Sequence, residues 1–191
     1  MNRRGWMIGL VLGGTLLTAT AEAFTSLPLS VNEMVRRAEK IFVGTCTGVE
    51  ESVNEYGLSV LTVTFTVQED LKGEVGRTVT FRQLNPIQPP PPHPGVGGLR
   101  LAISTFGLPS YNRGEEAVLF LARAGKIGLT APLGLAQGKM PVSAVTTGEK
   151  QVTNTALKTE SALHSTIPAS GTAGEYAQFV TAIRALVQAG K

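Results

Sequence analysis

Cysteine, histidine, aspartate and tryptophan are nearly missing from this chain of 191 residues. It holds one Cys (Cys46), one Trp (Trp6), two His (His93 and His164) and a single Asp (Asp70). One cysteine cannot build an intramolecular disulfide framework. Zinc sites take three or four His, Cys or carboxylate ligands at close spacing, and calcium loops draw on clustered Asp and Asn; neither pattern occurs. Gly95-Val96-Gly97-Gly98 is not followed by the Lys-Ser/Thr of a phosphate-cradling loop. The inventory therefore implies no metal and no cofactor. Charge is also scarce, at 16% of residues with a formal net charge of +3. That balance does not suggest a nucleic-acid or anionic-membrane surface. Hydrophobic residues make up 42%, enough for one core.

The first residues read as an address. Asn2-Arg3-Arg4 is basic, Gly5 to Thr18 is apolar and nearly uncharged, and Ala21-Glu22-Ala23 fits the small-x-small cleavage rule, the pattern of a secretory signal. The apolar stretch is short for a transmembrane helix. Cleavage after Ala23 would start the exported chain at Phe24, remove Trp6 and leave a weakly positive charge, with no membrane span. The alternative is an uncleaved N-terminal anchor. In an oxidising compartment Cys46 would be an unpaired thiol, for which burial is the simplest explanation.

The remaining pattern is mostly that of strands. Ser30-Val31-Asn32-Glu33 is a capping box and predicts a helix from Val31 to Glu39 with Val31, Met34, Val35 and Ala38 on one face. Ile41–Val49 reads as a strand carrying Gly44 and Gly48, glycines that mark a bend or close backbone approach, and Glu50–Gly57 as a polar connection. Over Leu58–Asp70 the side chains alternate: Leu61, Val63, Phe65 and Val67 share one face, Thr62, Thr64, Thr66 and Gln68 the other. Period two predicts a long strand with one wet face. Thr78–Leu84 repeats it. Six prolines fall between Pro86 and Pro94; this block reads as a stiff exposed loop rather than a ligand for another domain. Leu99–Thr105 predicts a short strand, and the apolar run Ala117–Ala122 a central strand buried on both faces. After Gly125, further strands are expected at Ile127–Leu129 and Leu135–Val145, then a late hairpin at Lys150–Thr155. Residues 156–171 read as a linker. Thr172-Ala173-Gly174-Glu175 opens an amphipathic helix whose stripe of Tyr176, Phe179, Val180, Ile183, Leu186 and Val187 should pack on the β-core.

Several motifs stand in this order: the strand opening Ile41-Phe42-Val43-Gly44, the strand end Leu71-Lys72-Gly73, then Pro109, Gly114-Glu115-Glu116 before Leu119-Phe120-Leu121, and Gly134-Leu135-Ala136-Gln137-Gly138-Lys139. Together they resemble a group of uncharacterised bacterial secreted proteins with a single small β-barrel, over roughly residues 29–155. The resemblance implies a mainly β fold, an OB-like or netrin-like antiparallel barrel with a short N-terminal and a C-terminal helix. It carries no activity. The barrel type includes, more distantly, the tissue inhibitors of metalloproteinases. Their mechanism needs an N-terminal cysteine amine and disulfides, which this chain lacks.

Candidate chemistry is thin. His93 lies in the proline block and His164 in a Ser/Thr-rich stretch, and neither adjoins a G-x-S-x-G elbow; both read as surface residues. Glu115 and Glu116 are neighbours on a strand and point to opposite faces, so they cannot act on one atom. Single-stranded nucleic acid needs aromatic platforms beside a positive groove, whereas Phe65 and Phe81 fall on core faces. No catalytic residue is assigned. The expectation is a secreted or periplasmic, non-enzymatic domain that binds an extracellular or envelope protein, with contacts at Tyr56, Pro90, Pro91, His93 and Tyr111. Alternatives are an inhibitor of an extracellular peptidase and a hydrolase with a dispersed Glu-based site.

Overall fold

The computed structural model describes residues 29–86, 107–144, 148–153 and 175–190. The signal-like segment, the strand expected at Leu99–Thr105 and the linker at 156–171 lie outside them. Six strands form one antiparallel sheet: β1 (Lys40–Val53), β2 (Ser59–Lys72), β3 (Thr78–Leu84), β4 (Glu116–Leu121), β5 (Lys139–Ala144) and β6 (Lys150–Val152), in the spatial order β3-β2-β1-β4-β5-β6. Two helices accompany it, α1 (Val31–Arg37) and α2 (Glu175–Ala189). The fold is mainly β, as the alternating segments require. Its six strands are not closed into a ring, because the end strands β3 and β6 do not pair with each other. β5 and β6 instead run on along the face that α2 covers, where Val142 and Val152 meet Phe179 and Ile183.

Each face of the sheet carries a buried apolar cluster. One carries Ile41, Val43, Val118, Phe120, Met140 and Val142 and is covered by the apolar sides of α1 and α2. The other carries Phe42, Cys46, Leu61, Val63, Phe65, Val79, Phe81, Leu119 and Leu121, packed with Tyr111. β4 lies between β1 and β5, and Ala117–Leu121 are all buried. An apolar run without alternation is what a strand buried on both faces requires. In β2 the alternation is explained by the same geometry: Leu61, Val63 and Phe65 point inward, and the intervening threonines sit half in solvent.

Several boundaries differ from the sequence reading. α1 starts as expected, with the Ser30 Oγ accepting the Glu33 N–H at 3.2 Å, but it stops at Arg37. The Glu39 N–H is drawn to the Leu121 carbonyl at 2.9 Å, so the end of β4 captures the backbone two residues early. β1 runs on through the polar stretch to Val53, because its backbone pairs with β2 as far as Val53↔Ser59 whatever the side chains are. Its register shifts at Ile41/Phe42, Val43/Gly44 and Cys46/Gly48. At the second shift the backbones close in: a Cβ on Gly44 would lie 2.7 Å from the Thr66 carbonyl oxygen. Ile127–Leu129 is a turn, closed by Gly125 N–H to Leu129 O and Gly128 N–H to Gly125 O. Leu135–Gly138 is a single 3-10 turn before β5, set by positive φ at Gly134 and Leu135. The late hairpin exists as β5–β6, with Val142 opposite Val152. α2 buries Phe179, Val180 and Ile183 against the sheet; its expected cap, Thr172, is outside the described residues.

Candidate functional site

The two tyrosines expected in exposed loops have opposite fates. Tyr111 is 6% exposed and belongs to the buried cluster of Phe65 and Phe81, so its assignment as a surface contact is overturned. Its ring meets Phe65 and Phe81 edge-on at 5.9 and 5.7 Å between centroids. Such edge-to-face pairs add to the burial of the rings themselves. The hydroxyl donates to Gln83 Oε1 at 3.3 Å, and Gln83 Nε2 donates to the Pro109 carbonyl at 2.8 Å. A turn that read as solvent-facing therefore plugs the core, because the phenol finds its acceptor on a buried glutamine of β3.

Beside the plug sits an ion pair that joins two of the motifs carrying the resemblance. Lys139 Nζ lies 2.6 Å from Glu115 Oε1, with the side chains 10% and 22% exposed. Nζ also donates to the Ser110 carbonyl at 2.6 Å and stands 4.8 Å from the Tyr111 ring centroid. The second carboxylate oxygen accepts the Asn112 N–H at 3.2 Å. Glu116 is bound to a different lysine, Lys150, at 2.7 Å; the two carboxylates serve opposite faces, as strand geometry demands. Nothing in the sequence pairs Glu115 with Lys139. The one available signal is that each directly follows a glycine, Gly114 and Gly138.

A second polar group fastens α2. Tyr176 donates its hydroxyl to Glu69 Oε1 at 2.6 Å, and Arg184 Nη2 reaches Glu69 Oε2 at 2.7 Å. Lys150 Nζ stands 5.5 Å from the Tyr176 ring centroid. Burial, then the bond to Glu69 and its charge, hold the Tyr176 phenol well above the ordinary tyrosine range. Burial, then the Glu115 charge, do the same for Tyr111. The sign follows by linkage: unfolded phenols ionise near about pH 10, while the folded chain keeps these two protonated. Their contribution is complete below about pH 10 and is lost as pH rises past it. Denaturant midpoints are thus expected to fall above pH 10, and Tyr176→Phe to flatten that fall; a slope unchanged by the substitution would contradict the assignment.

Cys46 is buried, and its thiol donates to the Gly48 carbonyl at 3.7 Å. Burial, reinforced by the charge of Glu115, pushes it above its usual pKa. A buried, protonated thiol is a poor nucleophile. Among the described residues no three His, Cys, Asp or Glu side chains gather as a metal site, and no helix is long and apolar enough to cross a membrane. A cleft of about 130 Å³ opens beside β3, lined in part by Glu39, Lys40, Phe81, Arg82 and Thr130; Glu39 there is paired with Arg123 at 3.1 Å. Pro90, Pro91 and His93, the other expected contacts, lie outside the described residues, as does His164.

Tyr56 remains, and the structure gives it a setting. β1 and β2 continue as a two-stranded ribbon to a turn at 54–58. Asn54 shapes that turn: its Oδ1 accepts the Tyr56 and Leu58 N–H groups at 3.0 and 2.9 Å, and Gly57 supplies a positive φ. Tyr56 is 51% exposed and Val53 69%; with Ile127 they are the exposed large hydrophobic residues of the described chain. The ribbon also carries Glu50, Glu51 and Glu55, and residues 47–66 contain no Lys or Arg. No protein-family model, curated protein or solved structure matches the chain.

Proposed function

We propose that this chain is an exported, non-enzymatic binding domain of OB-like build, which contacts a protein of the envelope or the extracellular space through the tip of its β1–β2 ribbon. The observation that carries this reading is the exposure of Val53, the last residue of β1, together with Tyr56 in the hydrogen-bonded turn that follows it. Tyrosine offers a large amphipathic contact surface with little rotamer freedom to lose, and is favoured in interfaces for that reason. The absence of chemistry is supported by how the reactive groups are used: Glu69, Glu115 and Glu116 are bound to cations, and Cys46 and Tyr111 are buried. Export is supported by the basic, apolar and small-residue succession before Phe24. The barrel assignment is supported by one bond, Thr130 N–H to the Arg82 carbonyl at 2.8 Å. It ties the edge strand β3 to a segment that itself joins β4 through Ala122 and Leu133.

The reading is tested by capture from envelope extract on immobilised full chain, comparing wild type with Tyr56→Ser. Capture of the same band should fall at least about tenfold. The substitution touches an exposed side chain, so stability should stay within about 0.5 kcal/mol of wild type. Undiminished capture by the variant would remove the ribbon tip as the contact.

A further inference from the structure

The ribbon has a second property besides its exposed tip. β1 pairs with β4 only as far as Thr45↔Glu116. Two more backbone bonds follow, Cys46 N–H to Glu115 O and Gly114 N–H to Cys46 O, both 2.8 Å. At Gly114, with φ of 84°, the neighbouring chain turns away. From residue 47 to residue 53, β1 has β2 on one side and, among the described residues, no strand on the other. Thr47 and Glu50–Val53 are exposed. An open strand edge presents unpaired N–H and C=O groups in register and is a template for a further strand. At about 3.3 Å per residue this edge accommodates an extended segment of about six to eight residues.

The charge on the edge selects its occupant. Glu33, Glu39, Glu69, Glu115 and Glu116 are each paired with a cation. Glu50, Glu51 and Glu55 have no ion pair among the described residues. A second copy pairing antiparallel about the middle of this edge would set the two Glu50 side chains directly opposite each other, and like charges directly opposite destabilise a strand pair. A lysine- or arginine-bearing strand would meet the same carboxylates as partners, with Val53 and Tyr56 as apolar anchors at one end. Resting on the binding reading above, we propose that residues 47–53 of β1 accept an extended cationic segment of a partner protein as an added β-strand.

The test uses the full chain and an eight-residue peptide alternating lysine and valine. Two further versions of the peptide are methylated on alternate backbone nitrogens, one in each register. A glutamate–valine peptide is the charge control. The lysine peptide is expected to slow amide exchange in residues 47–53 at least about tenfold. One methylated register should retain that effect and the other lose it, since successive N–H groups of a strand point to opposite edges and an added strand pairs through one of them. Glu50→Lys combined with Glu51→Lys, both exposed and remote from the core, should transfer the preference to the glutamate peptide. Equal protection by both methylated registers would mean attraction by charge alone and overturn strand addition. So would protection that grows with the concentration of the chain itself, which would identify a second copy. If the peptide gives no protection while capture still depends on Tyr56, the inference falls and the binding domain stands; if Tyr56 dependence is also missing, both fall.

Discussion

Replacing Gly138 with alanine is expected to lower the thermal midpoint by about 5–10 °C. A Cβ at this position would lie 2.6 Å from both the nitrogen and the oxygen of Leu133, and 3.1 Å from the Phe120 carbonyl oxygen. These are backbone atoms, so no side chain can rotate away. They belong to a tightly bonded crossing: the Leu133 N–H donates to the Phe120 carbonyl at 2.8 Å, and Phe120 lies next to the end of a strand buried on both faces. Relieving the clash means moving the 3-10 turn off β4 and disturbing Gln137, whose Oε1 accepts the Leu29 N–H at 2.8 Å. Overpacking of this kind costs about 2–3 kcal/mol. For a domain of this size each kcal/mol shifts the midpoint by about 2–4 °C. Calorimetry of the variant checks it, and a midpoint within 2 °C of wild type would show that the crossing is looser than described.

Lys139→Met should be at least as damaging, for a different reason. The aliphatic stem is conserved, so packing changes little; what disappears is the cation between Glu115, the Ser110 carbonyl and the Tyr111 ring. Glu115 is left mostly buried with the Asn112 N–H as its remaining partner. Removing one member of a buried pair costs about 3–5 kcal/mol. The partial exposure of both side chains places this pair at the lower end, near about 3 kcal/mol. Adding Glu115→Gln to the same chain should restore much of the loss, since the orphaned charge goes with it. A double-mutant cycle in urea should then give a coupling of about 1–3 kcal/mol. Additive losses would show that Lys139 acts through packing alone.

These two expectations bear on how much of the molecule is legible before it folds. Gly138 and Lys139 stand next to each other in a motif that could be singled out from the chain, but the reason for each lies elsewhere in space. Gly138 answers to Leu133 and Phe120, Lys139 to Glu115 and Ser110. The ribbon was also only half legible. Glu50–Gly57 reads as a polar connection because side-chain polarity hides a backbone ladder that needs no apolar partner. Tyr111 and Tyr56 occupy similar-looking turns, bounded by glycine and asparagine. Their opposite exposures depend on whether a buried acceptor such as Gln83 waits at the other end.

The sequence by itself determined the local elements. Period-two alternation made β2 and β3, an unbroken apolar run made β4, a hydroxyl at Ser30 started α1, and a 3.6-residue stripe shaped α2; each arises from contacts a few residues apart. Adjacent positions on a strand also kept Glu115 and Glu116 apart without help from the fold. Only the tertiary structure decided which strands are neighbours, where β1 loses its second partner, and which tyrosine is left in solvent. Those outcomes depend on backbone and charge meeting across more than a hundred residues in some cases, as Leu29 does Gln137, and no periodicity records such a meeting.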